Sequence, residues 1–273
     1  MTITWPFLFH LIPWFHFAIS MIVIVSPAKI LNLDAVDTSV HTIPRLLSHT
    51  WPLIQQLRKY GMEDLMKLMK MSKDLAKENH KRFKQFRKKH DPSYCLPAVY
   101  MFGGAVYQGL DASSLNPADL KFAQERFRIL SGLYGVLRPL DLVQPYRLEI
   151  GTRLPTDRGT NLYQYWGDII SETLVEDLSQ VPGNRVMNLA SNEYFKPVRP
   201  DILQADICHA TFKEMRNGQL KFLSFDAKKA RGLLARYIIQ NGITDFEAVK
   251  NFDLEGYQFN PEGSSDRNFL FIR

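Results

Sequence analysis

Four charged side chains, Arg138, Asp141, Arg147 and Glu149, are carried on the run LSGLYGVLRPLDLVQPYRLEIG at 130–151. Gly132 and Gly135 bracket Leu133 and Tyr134 in a GxxG turn, while Pro139 and Pro145 hold Arg138 and Gln144 extended. Such punctuation fixes an irregular backbone, which reads either as a structural corner or as a functional loop. On that frame Arg138 and Arg147 are candidate phosphate contacts, with Asp141 and Glu149 holding them in place. A second cation set lies in DAKKARGLLAR at 226–236. Asp226 is the expected N-cap, which would set Lys228, Lys229 and Arg231 on the first helical turns, beside free backbone amides and the positive end of the dipole. Cations there oppose the dipole, a cost that a bound phosphate would offset. Arg236 follows one or two turns later. With Lys29, which follows the first apolar run, the candidate nucleic-acid contacts are Lys29, Arg138, Arg147, Lys228, Lys229, Arg231 and Arg236.

A different chemistry is open to the carboxylates. Glu149, Asp168 and Glu193 each stand beside aromatic or basic residues: Tyr146 and Arg147, Tyr165 and Trp166, Tyr194 and Lys196. Paired carboxylates with Lys29 could run acid-base or Schiff-base chemistry on a nucleobase stacked against those rings. The alternative is a set of salt bridges buried among core aromatics. A pocket holding two of these carboxylates near Lys29 or Lys228 favours an enzyme; scattered positions exclude one. No metal site is expected, because Cys95 and Cys208 stand far apart and the seven histidines show no HxH or HxxxH spacing. Gly103, Gly104 and Gly109 do not complete a GxGxxG, and no Walker motif is present, so no cofactor is expected either.

The 34 Lys and Arg outnumber the 28 Asp and Glu, giving a formal net charge of +6 that favours a polyanionic partner. The excess is concentrated. Between Lys67 and Lys89 stand ten basic residues against only Asp74 and Glu78. Leu65, Leu68, Met69, Leu75, Phe83 and Phe86 recur there at helical spacing, and Ser72 could cap a second helical segment. The outer face is then either a solvated lysine surface or a phosphate-contacting one.

The elements that must position these groups read as one α+β domain over 21–273. Ile22 to Val25 is a short β-branched strand, followed by helices at 44–60 and 63–90 and a strand at 98–102. Asn116-Pro117 starts a helix whose stripe Leu120, Ala123, Phe127 and Leu130 carries it to 130. Then come a helix at 162–179, a strand at 185–190, and a hairpin of 206–213 with 219–225 around Asn217-Gly218. A helix over 227–241 ending at Gly242, a short helix near 245–250, and strands near 256–259 and 269–272 complete the reading. Without a regular βαβ rhythm, a mixed β-sheet flanked by helices fits best. The first twenty residues, MTITWPFLFHLIPWFHFAIS, carry no Lys, Arg, Asp or Glu and are cut by Pro6 and Pro13. They fit neither a signal peptide nor a membrane anchor well, so 1–20 is expected to be an extension outside the fold.

Seven blocks in order, SPAKIL at 26–31, FGGAVYQGL at 102–110, the run at 130–151, LYQYWGDII at 162–170, NLASNEYFKPV at 188–198, SFDAKKARGLLARYII at 224–239 and FDLEGYQF at 252–259, resemble the YaaA family of bacterial peroxide-stress proteins. The resemblance implies a cytoplasmic protein that limits free intracellular iron and oxidative DNA damage. It further implies double-stranded DNA binding through a basic cleft and a helix-hairpin-helix-like element. The GLYG spacing departs from the GxG usual in such hairpins.

Overall fold

The computed structural model describes residues 20–34, 36 and 38–273, so the expected extension lies outside the described residues except for Ser20. The first strand, β1 (Met21–Val25), is apolar and wholly buried. Helices α1 (Leu47–Leu57), α2 (Met62–Met69) and α3 (Lys73–Gln85) follow. A two-residue strand, β2 (Leu96–Pro97), leads into α4 (Ala98–Met101) and α5 (Ala105–Leu110). Helix α6 (Pro117–Arg126) passes directly into β3 (Phe127–Ser131), then β4 (Gly135–Leu137) and β5 (Leu142–Val143). Next come α7 (Leu162–Trp166), α8 (Ile169–Ser179), β6 (Arg185–Asn188), α9 (Asn192–Phe195) and α10 (Pro200–Leu203). The hairpin β7 (Asp206–Arg216) and β8 (Gln219–Lys221) precedes α11 (Ser224–Gln240), α12 (Phe246–Val249), β9 (Gln258–Phe259) and β10 (Asn268–Ile272).

The main sheet runs β4-β3-β1-β6-β7-β10-β9, with β8 paired to β7. Strands β3, β1, β6, β7 and β10 are parallel, while β4 and β9 are antiparallel additions at the two edges. The mixed α+β sheet is therefore as expected, built around a parallel centre. Every residue of β1 and β3 is buried, as strands covered on both faces require. From β1 the chain reaches β3 on one side and later β6 on the other. Such a reversal opens a crevice beyond the carboxyl ends of the strands.

Four local expectations are corrected. Residues 98–101 form one helical turn, not a strand; a short, mostly buried apolar run has no period that separates the two. The helix starting at Pro117 stops at Arg126, because Phe127–Ser131 is taken into the sheet beside Val23–Val25. Tertiary pairing overrides the helical stripe there. The helix expected over 162–179 is broken at Gly167, whose φ is +48°. The helix start near Asp226 lies earlier, at Ser224, and Asp226 is not the N-cap.

Two packing features fix the frame. Helices α5 and α11 cross at glycines: a Cβ on Gly232 would lie 1.8 Å from the Val106 carbonyl oxygen, and one on Gly109 would lie 2.2 Å from that of Lys229. Asp177 is buried between Arg45 and Arg128, accepting hydrogen bonds of 2.6 to 3.0 Å from both guanidinium groups. Burial pushes its carboxyl up, but those bonds outweigh burial and leave it below the usual carboxylate range.

Candidate functional site

The run at 130–151 is a frame for the strand ends. Its GxxG turn joins the antiparallel strands β3 and β4 rather than two helices. Ser131 Oγ accepts the backbone N–H groups of Leu133 and Tyr134, and Trp166 Nε1 donates to the Gly132 carbonyl at 3.0 Å. A Cβ on Gly132 would lie 2.3 Å from the Leu148 carbonyl oxygen, so glycine is what lets residues 148–150 lie against the turn. That close approach delivers Glu149 to the carboxyl end of β1.

At that end Lys29 Nζ lies 3.0 Å from Glu149 Oε1, and Arg147 donates to the same oxygen at 3.0 and 3.1 Å. Burial raises the Glu149 carboxyl, but Lys29 and Arg147 outweigh it, so the group is held ionised below its ordinary pKa. The other oxygen, Oε2, is buried without a partner among the described residues. Glu193 joins from α9, which follows β6: its Oε1 accepts the Gly151 N–H at 3.3 Å, and its carbonyl accepts the Tyr163 hydroxyl. Lys196 Nζ stands 4.9 Å from the Tyr163 ring centroid. Ser26 Oγ accepts the Ser191 N–H at 2.9 Å, and Tyr107 donates to the Ser26 carbonyl at 3.0 Å. Of the three expected carboxylates, Glu149 thus pairs with Lys29, and Glu193 bonds the backbone two residues beyond Glu149. Asp168 instead pairs with Arg199 at 2.8 Å in a half-exposed surface bridge. Ser26, Ser191, Tyr107 and Tyr163 were not singled out by sequence. For Ser26 the available signal was a polar residue directly after a buried apolar strand.

The expected phosphate contacts divide sharply. Arg138 is committed to Asp141, whose side chain is fully buried, through bonds of 3.0 and 3.2 Å. Arg147 is committed to Glu149. Arg236 donates to the carbonyls of Leu110 and Asp111, capping α5. Lys229 pairs with Glu255 at 2.5 Å, and Asp226 accepts from Arg273. With α11 starting at Ser224, these lysines lie past its first amides, which removes the dipole argument made for them. Lys228 is exposed. Arg231 is half-buried, its Nε shut off from solvent without a partner among the described residues, and burial lowers its pKa.

Unpaired positive charge gathers instead on α2 and α3. Ser72 Oγ accepts from the Leu75 N–H at the start of α3, as the sequence suggested, and Lys70–Ser72 links the two helices. Ala76, Asn79 and Phe83 form the buried face of α3, leaving Lys73, Lys77 and Lys81 on one exposed stripe. Beside it a cleft of about 520 Å³ is lined by Lys81, Arg82, Gln85, Arg87 and Tyr94 among others, with the Arg87 guanidinium 4.3 Å from the Tyr94 ring centroid. Among the described residues, no group of three or more His, Cys, Asp or Glu is placed to hold a metal ion.

Comparison with known proteins places these features in a family. The family model described as peroxide stress protein YaaA matches residues 21–263. A UPF0246 protein of Idiomarina loihiensis is 47% identical over 254 residues, covering 93% of this chain and 98% of that protein. One from Marinomonas is 47% identical over 92% of this chain and 96% of its own length. One from Colwellia psychrerythraea is 48% identical over 93% of this chain and 99% of its own. The chain belongs to the YaaA family of peroxide-stress proteins.

Proposed function

We propose that this YaaA-family protein acts in the peroxide-stress response by binding double-stranded DNA through phosphates, with α2 and α3 as the contacting surface. The observation that carries the reading is the stripe Lys73, Lys77 and Lys81, none of which joins an ion pair among the described residues. Spaced by four residues, they recur about 6 Å apart along the helix axis, a linear array of cations suited to a phosphate backbone. The adjoining cleft, where Lys81 and Arg87 lie beside an Arg82 paired with Glu78, supports the same reading. The implied helix-hairpin-helix-like element fits the α2–α3 pair better than the GLYG turn, which lies between strands.

Limiting free iron, and with it oxidative DNA damage, is the remaining part of this reading, supported by family membership alone. An indirect route suits the scattered histidines and cysteines. A cytoplasmic location accords with two free, buried cysteines and with the described residues having no helix long and apolar enough to cross a membrane. Fluorescence anisotropy of a labelled duplex over a salt series tests the DNA assignment. Affinity must fall steeply as salt rises; binding insensitive to salt refutes it.

A further inference from the structure

We propose that the carboxyl ends of β1, β3 and β6 form a binding site for a small phosphomonoester carrying a free hydroxyl, separate from the duplex-binding face. Position is the first argument. The β1 strand stands where the chain reverses direction across a parallel sheet, the place where open α/β sheets form their ligand crevice.

Charge is the second. Lys29 and Arg147 are engaged by Glu149, but Lys196, over the Tyr163 ring, and Arg231, whose charge is felt at His209 beside Asn188 at the end of β6, join no ion pair among the described residues, so an anion is the favoured guest. Arg231 lies on α11, which crosses α5, and Tyr107 of α5 donates to the Ser26 carbonyl. Burial, and then the Arg231 charge, lower the pKa of His209, whose ring meets Phe195 edge-on at 5.3 Å and Asn188 at 2.9 Å. A half-buried guanidinium with no ion-pair partner among the described residues carries a desolvation cost, which a bound phosphate would relieve.

The third argument sets the rest of the ligand. Glu149 is ionised, with Oε1 occupied by Lys29 and Arg147 and Oε2 buried and unpartnered. A carboxylate oxygen only accepts, so it requires a donor, which a sugar hydroxyl provides and inorganic phosphate at the cationic end does not.

Titration calorimetry of the full chain with ribose 5-phosphate, 5′-AMP and inorganic phosphate tests the assignment. At least one phosphomonoester should bind saturably and more tightly than inorganic phosphate. Lys29→Ala, at an exposed position, and Arg231→Gln, checked for folding by its thermal melt, should each weaken it about tenfold. The triple variant K73A/K77A/K81A should retain this binding while losing duplex affinity. Absence of phosphomonoester binding, binding unchanged by K29A, or inorganic phosphate binding equally well would overturn the proposal. Loss of phosphomonoester binding in the triple variant would also overturn it, by merging the two sites.

Discussion

Lys29 Nζ and Glu149 Oε1 meet at 3.0 Å, although 120 residues of chain separate them. The contact ties the loop leaving β1 to the last residues of the 130–151 run. It explains what the run's glycines are for: Gly132 permits the close approach that carries Glu149 to the strand ends. The same contact accounts for the charge state of Glu149, because two cations share one of its oxygens and keep it ionised.

Arg138 separates a structural cation from a DNA-binding one. Its guanidinium is the ion-pair partner of the fully buried Asp141 side chain, so Arg138→Ala leaves a buried carboxylate without its cation. Chemical denaturation should report a loss of about 3 kcal/mol. The salt dependence of duplex binding by the folded variant should stay as in the wild type. A reduced salt slope would restore Arg138 as a phosphate contact.

His90 should make stability fall with acid. Burial pushes its ring down from 6.5 to about 4, with a backbone hydrogen bond at Lys88 opposing, and its Nε2 lies 3.0 Å from the Tyr134 hydroxyl. The folded pKa is depressed, so the stabilisation is complete above the unfolded value and is lost as pH falls toward the folded one. Between pH 6.5 and about 4 the loss due to this residue should reach about 3 kcal/mol. His49 and His209 shift the same way, so the test is the difference between wild type and His90→Gln in urea melts across that range. Parallel curves would show that His90 carries none of the slope.

Gly232→Ala sets helix propensity against packing. Alanine favours α11 by about 1 kcal/mol, but its Cβ would meet the Val106 carbonyl oxygen at 1.8 Å. Val106 lies in a packed helix, so neither backbone can move cheaply. The steric cost prevails, and the variant should lose about 2 kcal/mol or more. A melting temperature at or above that of the wild type would contradict the helix crossing.

Local chemistry was legible in the sequence where it was complete within a few residues. The β-branched run at Ile22–Val25 is a strand, Asn217 and Gly218 turn the β7–β8 hairpin with φ of +52° and +73°, and Ser72 caps α3. Destinations were not legible. Phe127–Ser131 continues a helical stripe on paper yet joins the sheet, because β1 offers a longer-range partner that no local window contains. Asp226 reads as a cap until Arg273, at the far end of the chain, occupies its carboxylate. The candidate site behaved likewise. Lys29, Glu149 and Glu193 could be named individually, while the pairing of Lys29 with Glu149, the bond from Gly151 to Glu193, and the separation of Asp168 depend on long-range packing.

The salt dependence of duplex binding by K73A/K77A/K81A, beside the wild type, tests the DNA assignment most directly. Each phosphate-contacting lysine removed should reduce the slope of log affinity against log salt by about 0.9, with affinity falling at low salt. An unchanged slope and affinity in the folded triple variant would contradict the placement of DNA on α2 and α3.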